Sequence, residues 1–515
     1  MSFTSMLTLL LTHPIEFRTL VQYYLYHEQK RDISALKEHP TSGWDRASMR
    51  RCWEFLDQTS RSFSAVIKEL EGDVARTICL FYLVLRGLDT IEDDMTIPDS
   101  VKQPLLRSFH EKTVTPGWKF DGCGPDEKDR QLLVEYDTVV EEVNRLSPEY
   151  RAVILSICEK MATGMADYAH KAATTGSIYL ETIAEYDLYC HYVAGLVGEG
   201  LSGIFAASGK EAPWIKDQLE LSNSMGLLLQ KTNIIRDYRE DVEERRYFWP
   251  REIWGRPEYA AACGGAHAAS EKGKGRGFQE MAEMYAPENK VGALWAQSGM
   301  VVDALRHATD ALDYLRVLRN QSVFNFCAIP ATMAMATLEL CFMNPTMFER
   351  NIKIRKAEAA SLIMRSTNPR EVAYIFRDYA RRIHAKAVPA DPNFLRISVA
   401  CGKIEQWCEH NYPSFIRILQ SSAPSGPGAP MTTFAENDAR TRIYRASEAQ
   451  DNKLALERRK AEIRDGVAPR VETANNLPVA SPIWEIAMYI GAAMLLIVGM
   501  AVPVVWWVLY ISREV

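Results

Sequence analysis

Paired cysteines are the first thing this sequence lacks. Its ten cysteines, at positions 52, 79, 123, 158, 190, 263, 327, 341, 401 and 408, form no C-x-x-C pair and no Cys/His grouping at zinc-like spacing. That argues against a disulfide framework or a structural zinc and for a reduced, cytosol-facing body. A basic excess is also missing. With 60 Lys and Arg against 66 Asp and Glu, the formal net charge is −6, so nucleic acid is a poor candidate partner and any anionic ligand has to be met by local cations. Sustained apolar/polar alternation of the strand type is scarce. A secretory signal is not evident either, because the apolar run Met6 to Leu11 is short and no basic residue precedes it. Residues 1–41 read instead as an N-terminal helical segment, with Met1 to Tyr26 packing on the body or lying on a membrane.

What is present is length and apolar periodicity. At 515 residues and 47% hydrophobic, the chain can bury one large core with appendages. From 42 to 420, long stretches of helix formers carry apolar residues at three-and-four spacing, as in Val66 to Leu88 and Ala152 to Ala172, which predicts a single all-α catalytic domain. Helix breaks are expected at Pro98, the Pro116–Pro125 loop, Pro213, Pro250, Pro330, Pro345 and Pro389. Residues 255–289, rich in Gly, Ala and Lys, read as a mobile surface insertion. Residues 421–480 begin with the hinge-like SSAPSGPGAP and continue as a charged, helix-prone linker. The last segment, 481–515, holds an uncharged run from Ile486 to Ile511. At about 1.5 Å per residue it covers a bilayer core of about 30 Å. Trp484 at one end and Trp506, Trp507 and Tyr510 near the other suit the interface, and the basic residues gather before the span. A single-pass tail anchor with a cytosolic body is the expectation.

Two acidic clusters have the same form. Asp89-Thr90-Ile91-Glu92-Asp93 and Asp237-Tyr238-Arg239-Glu240-Asp241 both read D-x-x-E-D in helix-favouring surroundings, and positions i, i+3 and i+4 share one helix face. Three carboxylates converging on one point repel unless a cation screens them, and oxygen ligands that leave room for water and phosphate suit Mg2+. Two facing clusters would hold a diphosphate through bridging magnesium. A solvated acidic face explains one such cluster well, and two with identical spacing poorly.

Other motifs carry weaker signals. QTSRSF (Gln58 to Phe63) and Arg86 place Ser60, Arg61 and Arg86 within reach of diphosphate oxygens, while Arg236, Arg245 and Arg246 flank the second cluster; structural ion pairs account for single arginines equally well. Tyr189 in the helix-like stretch YCHYVAGLVG shares one face with Tyr192 and Val193 and is a phenol in apolar surroundings, able to move a proton or face a cation, or else an ordinary core tyrosine; His191 is assigned to structure. Gly198-Glu199-Gly200-Leu201-Ser202-Gly203 matches G-x-G-x-x-G, but no strand leads into it, so the glycines are read as permitting close helix packing. LRNQSVFNFCAIP brings Phe324 and Phe326 to an apolar wall or to plain core. KIRK, with Lys353, Arg355 and Lys356, is a compact cationic point or a solvated face.

Taken together, DTIEDD, YCHYVAGLVG, NIIRDYRED followed by FWP, and LRNQSVFNFCAIP resemble eukaryotic squalene synthases of the fungal type over about Arg51 to Lys356. The resemblance implies an isoprenoid-synthase helical bundle on the endoplasmic reticulum membrane, with neighbouring sterol-pathway enzymes as partners. It implies head-to-head joining of two farnesyl diphosphates to presqualene diphosphate and reduction to squalene with NADPH, both steps needing Mg2+. By the same resemblance Asp89, Glu92, Asp93, Asp237, Glu240 and Asp241 hold the metal. Tyr189 handles the proton lost in cyclopropane formation, and Phe326 faces a later cation. Ser60, Arg61, Phe63, Tyr82, Arg86, Asn233, Arg236, Arg246, Lys353 and Arg355 contact substrate or cofactor. Phytoene and dehydrosqualene synthases share the paired acidic motifs, but the VFNFCAIP segment and the terminal span argue against them. A membrane-tethered scaffold without catalysis would not need both clusters and Tyr189.

Overall fold

The computed structural model describes residues 9–26, 31–263, 277–413 and 453, with the side chains of Tyr26, Arg61 and Ser62 excepted. The proposed linker, apart from Lys453, and the terminal span lie outside the described residues. All the described residues fall in one unit, and among them the regular structure is helical apart from one pair of two-residue strands.

The elements that build the site are α1 (Pro14–Tyr26), α2 (Arg61–Lys68), α3 (Val74–Asp93), α4 (Pro148–Thr175), β1 (Ile178–Tyr179), α5 (Ile183–Cys190), α6 (Leu196–Ala207), α7 (Leu219–Arg236), α8 (Tyr238–Glu243), β2 (Arg246–Tyr247), α9 (Lys290–Leu305), α10 (Ala308–Val317), α11 (Gln321–Cys341) and α12 (Lys356–Arg365). Their ends follow local chemistry. Ser147 caps α4, Pro148 takes its first position, and Gly176 closes it in the left-handed conformation at φ +80°. Thr182 and Glu185 form a reciprocal capping box at the start of α5. Asn320 accepts from the amides of Ser322 and Val323 to start α11.

Helix α7 is central, packing on α6, α9, α10 and α11. Its contact with the preceding segment depends on missing side chains. A Cβ on Gly226 would lie 2.5 Å from the carbonyl oxygen of Ala194, and one on Gly198 would lie 2.4 Å from that of Ser222. The glycines of G-x-G-x-x-G therefore serve helix packing, as Gly200 against Phe81 and Gly203 against Val153 also do.

Three expectations need correction. Pro330 does not break a helix: α11 runs through it to Cys341. The ring removes one intrahelical hydrogen bond, but the helix is held along its length by burial, with Ala328, Ala331, Met335 and Leu338 all inside. By composition α11 is also long and apolar enough to cross a membrane, yet it is a core helix. The 255–289 stretch is not a mobile insertion throughout, because Tyr259, Ala260, Phe278, Met281 and Met284 on its described flanks are buried. Residues 264–276 lie outside the described residues. Finally, α5 does not pass into α6 by regular winding. His191–Gly195 forms a π-helical turn, inserting a residue into the ladder.

Gly226→Ala should destabilise the protein by about 1–3 kcal/mol, since the added methyl meets backbone that cannot rotate away. Chemical denaturation in detergent measures this, and an unchanged midpoint would show that the contact between α7 and the π turn is looser than described.

Candidate active site

Helix α3 presents Tyr82, Arg86, Asp89 and Asp93 at intervals of four, three and four residues, so they share one face. The Arg86 guanidinium donates to the Tyr82 hydroxyl at 3.1 Å and lies 4.0 Å from Asp89 and 3.8 Å from Asp129. Asp89 keeps 29% of its side chain open and lines a cavity. Desolvation there pushes its carboxyl up to about 7, with Arg86 opposing and Asp93 and Asp129 adding to the rise. Burial, then Asp93 and Asp89, raise Glu92 well above the ordinary range as well.

The second cluster sits where α7 gives way to α8. Arg236 clasps Asp237 through two nitrogens at 2.8 and 2.6 Å, and Asn351 donates to Asp237 at 2.5 Å and to Glu240 at 3.4 Å. Burial raises Asp241 to about 7, against the opposing pull of Arg246. Strand β2 pairs in parallel with β1, Arg246 opposite Ile178 and Tyr247 opposite Tyr179. Arg246, fixed by that pairing, reaches Asp93 at 3.4 Å, Asp241 at 3.1 Å and Glu244 at 2.7 Å. One guanidinium thus touches both clusters, which places them face to face across it.

Among the described residues no three metal-ligating side chains converge as a ready-made cage. Mg2+ does not need one: it is commonly held by one or two carboxylates and completed by water and phosphate. The carboxylates at these two helix ends, with Asp89, Glu92 and Asp241 raised by burial, fit that requirement. Mg2+ would be held by Asp89, Glu92 and Asp93 on one side and Asp237, Glu240 and Asp241 on the other.

Beside these clusters lies a cavity of about 300 Å³ with mainly apolar walls, and Phe63, Tyr82, Arg86, Asp89, Asn233 and Phe326 all line it. Six residues selected on sequence grounds are therefore brought to one space. Phe326 stands edge-on to Phe205 at 6.2 Å, whereas Phe324 is completely buried in the core. Ser60 caps α2, accepting from the amide of Phe63; the side chain of Arg61 lies outside the described residues.

Tyr189 is buried beside the first cluster. Its ring stacks on Phe248 at 4.8 Å and 21° and meets Tyr168 edge-on at 5.1 Å. Burial raises its phenol well above the usual value, and the negative charges of Glu92 and Asp93 raise it further, so it is a protonated phenol at neutral pH. Lys353 and Arg355 do not line the cavity. Both are exposed on the segment before α12, where Arg355 pairs with Glu16 of α1. Asn351, Phe248 and Tyr168 had not been singled out by motif. Phe248 stands in the FWP that follows the second cluster, the one signal that pointed its way.

A family model described as Squalene/phytoene synthase matches residues 56–358. The chain belongs to this family. A squalene/phytoene synthase relative from Ganoderma lucidum, "Squalene synthase", is 69% identical over 90% of this chain and 96% of its own. "Squalene synthase" from Schizosaccharomyces pombe is 47% identical over 79% of this chain and 83% of its own. The solved "complex structure of TcSQS with ligand, BPH1237" aligns with TM-score 0.64 and 38% identity, covering 71% of this chain and 99% of that one. The fold is therefore that of the isoprenoid-synthase bundle.

With Asp89 and Asp241 raised from 3.8 to about 7, the folded state binds protons that the unfolded chain has released between about pH 4 and pH 7. Stability in chelator should accordingly fall as pH rises through that window. Melting temperatures in EDTA across the window measure it, and Mg2+ should offset the loss. A melting temperature that rises with pH in chelator and ignores Mg2+ would mean the carboxylates are not the crowded set described.

Proposed function

We propose that this chain is a squalene synthase, condensing two farnesyl diphosphates to presqualene diphosphate and reducing that with NADPH to squalene. The observation that carries the reading is the apolar cavity with Arg86, Asp89 and Asn233 in its wall, next to two acidic clusters that face each other across Arg246. An apolar tail and a diphosphate head need these two surfaces side by side.

When bound, Mg2+ neutralises the diphosphate and makes it a better leaving group. The protein's own residues do the rest. Arg86, Arg236 and Arg246 exchange carboxylate partners for phosphate oxygens. The apolar walls exclude water from the allylic cation left after ionisation, and the Phe326 ring offers it a negative π-face.

The state of Tyr189 sets how it acts. A phenol that holds its proton at neutral pH takes the proton lost in cyclopropane closure on its oxygen only while releasing its own, and the carboxylates of Glu92 and Asp93 face it. Tyr168 and Phe248 keep its ring from turning away. For NADPH, which supplies the hydride of the second step, Lys353 and Arg355 offer exposed cations suited to phosphate, with Arg355 giving up Glu16 to bind it. The body is cytosolic and held to the endoplasmic reticulum membrane by a helix within 481–515, joined through 421–480.

Tyr189→Phe keeps the ring but removes the hydroxyl. Presqualene diphosphate formation should fall by about 10²-fold or more, while reduction of supplied presqualene diphosphate, which consumes a hydride and loses no proton to the enzyme, suffers much less. Undiminished first-step activity would return Tyr189 to core packing. Asp93→Asn and Asp241→Asn should each lower turnover by about 10²-fold or more with folding retained, read by product formation at limiting Mg2+; full activity in both would contradict the two-cluster reading. A chain ending before Ser481 should fractionate as soluble, active enzyme, and complete retention in membranes would assign anchoring to the N-terminal segment.

A further inference from the structure

Next to the helix turn that carries Tyr189 lies a group of charges, buried at Lys231 and Asp303 and partly open at Asp187 and Arg306, that the reaction does not use. Lys231 of α7 is almost wholly enclosed, its side chain 1% exposed, and its ammonium donates to Asp187 of α5 at 2.6 Å and to Asp303 of α9 at 2.5 Å. Arg306 closes the set, 2.9 Å from Asp303 and also paired with Asp187. The Lys231 ammonium further lies 4.8 Å from the centre of the Tyr186 ring, one turn before Tyr189. Burial disfavours the Asp187 carboxylate, but hydrogen bonds from Lys231 and Arg306 outweigh it and hold the group below its ordinary value.

Burying charges such as Lys231 and Asp303 is a poor way to gain stability, because desolvation offsets most of the attraction, and apolar residues of similar volume often do as well. What the cluster gives is geometry. Asp187 stands two residues before Tyr189, and Lys231 stands two before Asn233 and six before Asp237, so a single ammonium joins the helix of the phenol to the helix that ends in the second acidic cluster. A second tie lies one turn on, where His191 in the π turn shares a hydrogen bond of 2.7 Å with Asn223 of α7. Helix α5 has only eight residues and passes straight into an irregular turn, so its rotation is not set by its own length.

We infer that Lys231 and Asp187 are positioning residues, fixing the rotation of α5 against α7 so that the Tyr189 hydroxyl is aimed at the reacting carbons. This rests on the assignment of Tyr189 to the proton step. Misplacing a catalytic group by about 1 Å can cost about 10²-fold in rate, so the loss belongs to the first half-reaction.

The test uses the full chain in detergent with Asp187→Asn, Lys231→Met, Tyr189→Phe and the Asp187→Asn/Tyr189→Phe pair, measuring each half-reaction separately alongside melting temperature. Asp187→Asn should slow presqualene diphosphate formation by about 10- to 10²-fold through kcat, with KM for farnesyl diphosphate and reduction of supplied presqualene diphosphate changed less than about twofold. In the Tyr189→Phe background the same substitution should add little, since the group it aims is gone. Equal losses in both half-reactions, or an undiminished multiplicative loss in the Tyr189→Phe background, would overturn the positioning role. If Tyr189→Phe alone leaves the first step intact, the assignment of the phenol fails and this inference with it, whereas an impaired Tyr189→Phe with unimpaired Asp187→Asn removes only the positioning role. Lys231→Met should reproduce Asp187→Asn; should it fail to fold, Asp187→Asn, whose partly open side chain loses the charge that anchors Lys231 and Arg306, decides the matter.

Discussion

Carboxylates crowded at the ends of two helices repel each other, and the arrangement of this bundle is organised around containing that repulsion. Asp93 and Asp241 belong to segments about 150 residues apart in sequence, and one guanidinium, that of Arg246, lies against both. Arg246 can do so because β2 pairs with β1 at the end of α4, which is the only strand pairing among the described residues. Arg86 and Arg236 each serve one cluster. Even so, Asp89, Glu92 and Asp241 stay raised by burial, so the internal cations do not balance the site. A cation brought with a diphosphate would complete it, and on the proposed function this unmet need ties the charge arrangement to the chemistry.

The apolar half of the site depends on a different constraint, the close approach of α7 to the chain that carries Tyr189. Glycines at 198 and 226 remove the side chains that would hold the backbones apart. Just before the π turn Tyr189 packs on Phe248 and Tyr168, while Val193, Ala194 and Val197 in and after it face the cavity. Two adjoining stretches of one helical run thereby hold the buried phenol and the cavity wall.

What the sequence makes legible follows physical periodicity. Asp89, Glu92 and Asp93 could be read as one face because α3 is regular, whereas the second cluster begins at Asp237, where α7 gives way to α8. The all-α class was legible for that reason also. Features that arise from tertiary contact were not. Tyr189, Tyr192 and Val193 read as one face; Tyr189 and Tyr192 do both meet Tyr168, whereas Val193 lines the cavity beyond the start of the π turn. Pro330 reads locally as a break, but burial carries α11 through it. The low-complexity core at 264–276 hides flanks anchored by Tyr259 and Met281. Arg355 reads as a phosphate ligand, and its pairing with Glu16, more than 300 residues away, could not be foreseen. Lys231 gave no signal, because an isolated lysine in QKTNIIRD carries no spacing that predicts burial.

The central claim is that two farnesyl diphosphates meet in the cavity beside the paired clusters and that the product is reduced there. Incubating the protein with farnesyl diphosphate and Mg2+, with and without NADPH, and identifying the extracted products tests it most directly. Presqualene diphosphate should accumulate without NADPH and squalene should replace it when NADPH is present. A dehydrosqualene-type polyene formed regardless of NADPH, or no condensed product at all, would contradict the account.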